Sequence, residues 1–189
     1  HQPEKVAAME GIWQTQTSVP ALLFAIPDQK NKTNHFEIGV PKLASLILTH
    51  NPDGEIKGLN EFENHPPVAP VFYAFRIMVI TGFLMLGISW FAAFVLYKNN
   101  KPNSFVAKIL LLMTFSGWVA LISGWYVTEI GRQPYLVYGI LKTADAAASI
   151  LAVSSSMIAT TLIMYLTIYV LLVTAFISVV FHLAKKAKV

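Results

Sequence analysis

An all-α integral membrane fold is what this sequence predicts: three transmembrane helices preceded by an extracytoplasmic, partly helical loop segment. Three observations point to it. Of 189 residues, 55% are hydrophobic and 13% charged. Single apolar runs approach the ~20 residues with which a helix crosses a bilayer. Charge is also unevenly divided: residues 1–69 hold five Lys and eight Asp or Glu, the remainder nine Lys or Arg and two acids. The basic excess flanks the apolar runs, the pattern of membrane-facing loops and not of a nucleic-acid surface.

Residues 1–69 form the non-membrane part. Pro3 suits the first turn of a helix, and Glu4 to Trp13 has helix-forming composition. Lys5 and Glu10 lie five apart, about 140° around a helix, so they cannot share one face. They either flank a ligand or are solvated surface charges. After Pro20 come an apolar patch, Ala21 to Ile26, and a polar stretch, Pro27 to Asn34; the segment Leu43 to Leu48 is apolar but too short to span. Asn51-Pro-Asp-Gly54 is a turn signal, and His65-Pro-Pro-Val-Ala-Pro70 a stiff connector whose prolines cannot continue a helix. The whole reads as an ordered, partly amphipathic loop on a membrane face. The chain opens at His1 in a polar segment with no signal-like region, which predicts the later part of a longer protein.

Residues 70–189 are expected to cross the membrane at about 71–97, 105–126 and 149–183. No charged residue lies between Asp145 and Lys185, so the third helix is tilted, kinked or preceded by an interfacial stretch. Lys98, Lys101 and Lys108 in one loop, with Lys185, Lys186 and Lys188 at the tail, predict cytoplasmic ends. The acidic first segment and the 131–145 loop then fall outside.

The ionic and sulfur-bearing groups stranded in these runs are the candidate functional residues. Glu129 belongs in the last turn of its helix, because Gly131 and Pro134 are stop signals. A carboxylate there faces the negative end of the helix dipole in a poor solvent and needs a cation. Arg132 is one candidate and a bound metal another. Trp118, Ile122, Trp125 and Glu129 share one helix face, which suits a cofactor cavity or an interfacial aromatic belt. Arg76 lies inside the first apolar run, where a guanidinium must be paired or reach the interface; a carboxylate or a haem propionate would serve. The Met78 thioether is either packing or a ligand to haem iron, with Gly82 one turn on leaving room for a flat macrocycle. There is no cysteine, which excludes disulfides, thiolate-ligated haem and iron–sulfur clusters within this chain. Of five histidines only His182 is near a span, so this chain alone cannot supply bis-histidine ligation within the membrane.

Four segments in order carry a resemblance: Gln2-Pro-Glu-Lys-Val-Ala-Ala-Met-Glu-Gly11, Ile26-Pro-Asp-Gln29, Val68-Ala-Pro-Val-Phe-Tyr-Ala-Phe-Arg-Ile-Met-Val79, and Gly124-Trp followed by Gly131-Arg-Gln-Pro134. The chain resembles subunit I of cytochrome bd-type quinol oxidases, through Lys142-Thr-Ala-Asp145 and over nearly its whole length. The similarity is to the later part of that subunit, the outer quinol loop and the last three transmembrane helices; the family's histidine ligands would precede His1.

What the resemblance implies can be placed by residue. Met78 would be an axial ligand of the low-spin haem b, with Arg76 near that haem. Glu129 would ligate a high-spin haem, the second haem b or haem d, with Trp125 between haems and Arg132 paired to a propionate. Lys5 and Glu10 would bind quinol. The resemblance further implies quinol oxidation at the outer face, oxygen reduction to water at a di-haem site, and a bacterial or archaeal plasma membrane. It implies as partners the rest of subunit I, subunit II and small accessory subunits. Tyr135 departs from the Trp that many members carry after Gln-Pro, and Asn51–Pro66 resembles the shorter form of the loop. The competing expectation is a cofactor-free membrane anchor, with Arg76 and Glu129 in structural ion pairs.

Overall fold

The computed structural model describes residues 2–99, 101, 103–146 and 154–186. The start of the third expected span, 149–153, and Lys188 lie outside the described residues. By its contacts the chain divides into His1–Ala144 and Asp145–Val189.

In the first unit, helix α1 (Pro3–Glu10) starts on its proline and ends at Gly11, whose φ of +70° is the left-handed conformation that glycine adopts freely. Strand β1 (Gln16–Thr17) pairs antiparallel with β4 (Glu55–Ile56), and β2 (Ala21–Asp28) with β3 (Thr33–Val40). Between them lies the short helix α2 (Leu43–Thr49), and a 3-10 turn at Leu59–Glu61 leads towards the membrane helices. The β2–β3 hairpin is a finding that the sequence reading lacked. A six-residue apolar patch beside a polar stretch does not separate strand from loop by periodicity. What makes the hairpin is Asp28, whose carboxylate accepts from the Lys30 N–H at 2.9 Å and the Asn31 N–H at 3.2 Å, folding the tip. The ladders are small, and the fold remains mostly helical.

The segment is no loose loop. Ala7, Ala8, Ile12, Trp13, Val19, Ala44, Ile56 and Leu59 form one apolar core with Val68 and Val71 of the next helix. Gly58 is needed inside it: a Cβ there would lie 2.2 Å from the Gln14 backbone carbon. Gly58→Ala is therefore expected to cost about 1–3 kcal/mol by overpacking. Limited proteolysis would read it as faster cleavage within residues 1–66, the membrane helices being spared.

Helix α3 (Val68–Asn99) begins earlier than expected and takes Pro70 into its first turn. A proline is tolerated there because its missing N–H would find no acceptor in the helix. The second crossing, Ser104–Gly131, is built of α4 (Ser104–Met113) and α5 (Ser116–Gly131). Asn103 caps α4 by accepting from the Val106 N–H at 2.8 Å, which places Lys108 within the helix and not in the loop before it. At the break, the Thr114 and Phe115 N–H groups reach the carbonyls of Leu111 and Leu112, three residues back. The Ser116 hydroxyl donates to the Met113 carbonyl at 2.6 Å. The backbone thus stays satisfied as apolar surroundings require. Helix α5 packs along α3, and both carry α1. A hairpin of β5 (Tyr135–Val137) and β6 (Leu141–Lys142) follows.

The second unit is helix α6 (Ser155–Lys186), whose described residues are all exposed. Its Thr160, Thr161, Thr167 and Thr174 hydroxyls each donate to the carbonyl four residues back. This hides the polar groups of a helix long and apolar enough to span a membrane.

Candidate functional site at the junction of α1, α3 and α5

Arg76 is the hub of the junction. It stands on the third turn of α3, buried, with its guanidinium 3.3 Å over the Phe72 ring. Nη1 donates to the Met9 carbonyl at 2.5 Å and the Phe72 carbonyl at 3.2 Å; Nη2 donates to the Leu22 carbonyl at 2.7 Å and to Glu10 Oε2 at 3.5 Å. One side chain therefore ties α1, β2 and α3 together. Only Nε lacks a partner. Of the two compensations left open by the sequence, a carboxylate, Glu10, is in place, with three main-chain oxygens beside it.

Glu10 is enclosed by the same packing. Burial pushes its carboxyl above the usual carboxylate range, and the Arg76 charge and hydrogen bond pull against that rise. On its far side is a cavity of about 30 Å³ that Glu10, Gln16, Asn34 and Glu37 reach. Asn34 is fixed there by the Trp13 indole N–H at 2.8 Å, and it donates to the Gly11 carbonyl and to Glu37 Oε1, both at 2.9 Å.

Lys5, as its spacing requires, points elsewhere. Its stem lies against Gly131, where a Cβ would come within 3.1 Å of Lys5 Cε. Lys5 therefore touches the turn of α5 that carries Glu129. Beside it Glu4 is buried and accepts from the Tyr138 hydroxyl at 3.0 Å, which binds the β5–β6 hairpin to α1. Desolvation, then the Glu4 carboxylate, push the Tyr138 hydroxyl up.

Met78, two residues beyond Arg76, is half-buried and turns its sulfur towards α5. A Cβ on Gly124 would lie 3.1 Å from that sulfur. One turn on, Gly82 has nothing within 4 Å. On α5, Glu129 pairs with Arg132 three residues later, and the buried Arg132 Nε has no partner. Trp125, Tyr126, Glu129 and Ile130 line a recess of about 250 Å³, while Trp118 and Ile122, also exposed, lie off it. These features fit a porphyrin. A thioether beside open helix surface, a carboxylate in an aromatic recess, and orphaned guanidinium N–H groups are donors and acceptors that such a group would satisfy. Among the described residues there is no cluster of three His, Cys, Asp or Glu that would hold a bare metal ion.

Sequence reasoning missed Asn34, Glu37 and Glu4, whose partners are distant in the chain. It also missed the close seating of Met78 and Lys5 on α5. A signal for the latter was present in Gly124 and Gly131, spaced by seven along one side of the helix, where small residues admit close neighbours.

Comparison with known proteins identifies the family. Residues 1–188 match the family described as cytochrome bd terminal oxidase subunit I. The chain is 32% identical over 194 residues to cytochrome bd ubiquinol oxidase subunit 1 of Bacillus subtilis (strain 168), covering 93% of this chain and 41% of that protein. It is 27% identical to cytochrome bd-II ubiquinol oxidase subunit 1 of Escherichia coli (strain K12), over 92% of this chain and 47% of that one. Among solved structures, the bd oxidase from Geobacillus thermodenitrificans superposes with a TM-score of 0.68 at 28% identity, over 93% of this chain and 40% of its own. The chain thus spans less than half the length of these relatives. With three membrane-length apolar helices and a family match across nearly every residue, this multi-pass membrane chain belongs to the cytochrome bd terminal oxidase subunit I family.

Proposed function

We propose that this chain is the C-terminal part of the haem-bearing subunit of a quinol:oxygen oxidoreductase. In this reading residues 1–69 lie outside the plasma membrane and bind quinol, and the C-terminus is cytoplasmic. The rest of subunit I, subunit II and small accessory subunits complete the enzyme. The observation that carries it is the junction itself: Arg76 holds the candidate quinol residue Glu10 against one face of α3, and two residues on, from a different face of the same helix, Met78 turns its sulfur towards α5.

Met78 would hold the low-spin haem b, and Glu129 a high-spin haem, b or d, with Trp125 alongside and the free Nε of Arg132 open to a propionate. When bound, the haems accept electrons singly and provide the place where oxygen is reduced. The protein's own residues do the rest. Lys5 and Glu10 flank and orient the quinol ring; Glu10 takes its protons as general base. Arg76 keeps Glu10 in place and favours its ionised form, partly offsetting the larger effect of burial.

Turnover of quinol by the assembled oxidase tests this. Glu10→Gln is expected to lower kcat about 100-fold or more, the scale of a lost general base, and Lys5→Ala to raise KM. Because burial lifts the Glu10 carboxyl, the acid limb of the wild-type pH–rate profile should lie above the usual carboxylate range. Wild-type turnover in both variants would remove quinol from this segment. One observation favours the cofactor-free anchor: the Glu129–Arg132 pair compensates both charges without a metal. That alternative requires unchanged haem content in the complex when Glu129 is replaced.

A further inference from the structure

We propose that Glu37 is the outward proton port of the quinol site, passing to solvent the protons that Glu10 collects. This rests on the reading of Glu10 as a quinol base and adds where its protons go. Glu10 is set among α1, β2 and α3 with its side chain 14% exposed, so little of it meets bulk water directly. It also lines a cavity of about 30 Å³ shared with Gln16, Asn34 and Glu37. A water needs ~10–15 Å³ and two to four polar partners, so the cavity has room for one or two waters between Glu10 and Glu37, which both line it.

Glu37 lies on strand β3 and is exposed, so its carboxylate meets both the cavity and the outside. Asn34 donates to one of its oxygens at 2.9 Å, which aims the group and leaves the other oxygen free to accept from water. Asn34 is itself held by Trp13 and Gly11, so it orients the port and carries no proton. The charged and titratable groups facing Glu10 are Arg76 from α3 and Glu37 across the cavity. Arg76 donates to Glu10 and to main-chain oxygens, and holds its proton throughout. Oxidation of one hydroquinone breaks two O–H bonds, delivers two electrons to the haem acceptor and frees two protons. Each proton passes in turn to a Glu10 carboxylate oxygen, through cavity water to Glu37, and out.

The test uses the assembled oxidase with a short-chain ubiquinol, or menadiol where the wild type prefers it. Glu37→Gln, an exposed and shape-preserving change, is expected to lower kcat roughly five- to tenfold with KM and haem spectra unchanged. Glu37→Asp should retain most of the rate, and added imidazole should restore turnover to Glu37→Gln by carrying protons in its place. Wild-type turnover in Glu37→Gln, or a loss that neither Glu37→Asp nor imidazole repairs, overturns the port. If Glu10→Gln is inactive while Glu37→Gln turns over normally, the port fails and the quinol reading stands. If Glu10→Gln itself turns over normally, both fail.

Discussion

Met78→Leu in the assembled oxidase is expected to abolish the low-spin haem b band while leaving the helices folded. Leucine matches methionine in volume, and such swaps cost under about 1.5 kcal/mol, so the spectral loss would report the missing sulfur and not collapse of the α3–α5 contact. Glu129→Gln makes the companion case. The carboxylate and Arg132 are each more than a third exposed, and pairs of that kind contribute about 0–1 kcal/mol. Stability should therefore barely move, whereas the high-spin haem signal should change outright. Optical difference spectra with a pyridine haemochrome assay measure both. A structural ion pair and a packing methionine predict the opposite: small stability changes and intact spectra.

The largest effect on the outer segment is expected at Arg76. Arg76→Ala would strip three main-chain carbonyls and the Glu10 carboxylate of their common donor. A buried acceptor left unsatisfied costs about 1–3 kcal/mol, and a buried charge left unpaired about 3–5 kcal/mol, so α1 and β2 should come away from α3. The measurable outcome is a quinol KM raised at least ~10-fold, the scale of one lost contact of about 1.4 kcal/mol, with new protease sites in residues 1–66. Arg76→Lys should rescue little, because an ammonium cannot serve carbonyls on several sides in the planar fork of a guanidinium. A variant that shifts the haem band but leaves KM and protease resistance untouched would instead make Arg76 a propionate partner alone.

The membrane helices were legible because length and hydropathy alone decide them: Val68–Asn99 and Ser155–Lys186 announce themselves by composition. Glu129 in a last turn was legible from Gly131 and Pro134 for a similarly local reason. The β2–β3 hairpin was not, since its pairing brings together segments whose short apolar runs suit several states. The break at Thr114–Phe115 escaped notice because it uses neither Gly nor Pro, only a local tightening supported by hydroxyls. The site divided along the same line. Arg76 and Glu129 stood out as charges in apolar runs, whereas Met78, Lys5 and Glu10 were picked out by the family resemblance. Asn34, Glu37 and the carbonyls of Met9 and Leu22 are ordinary where they stand in the chain, and gain meaning only when folding carries the first two to the end of α1 and the carbonyls to Arg76 of α3.

A density map of the assembled oxidase at side-chain resolution tests the central claim most directly. The account predicts iron ligated by the Met78 sulfur at one porphyrin and by a Glu129 carboxylate oxygen at another. Finding both groups seated only against protein side chains, with no porphyrin within bonding reach of either, would contradict it.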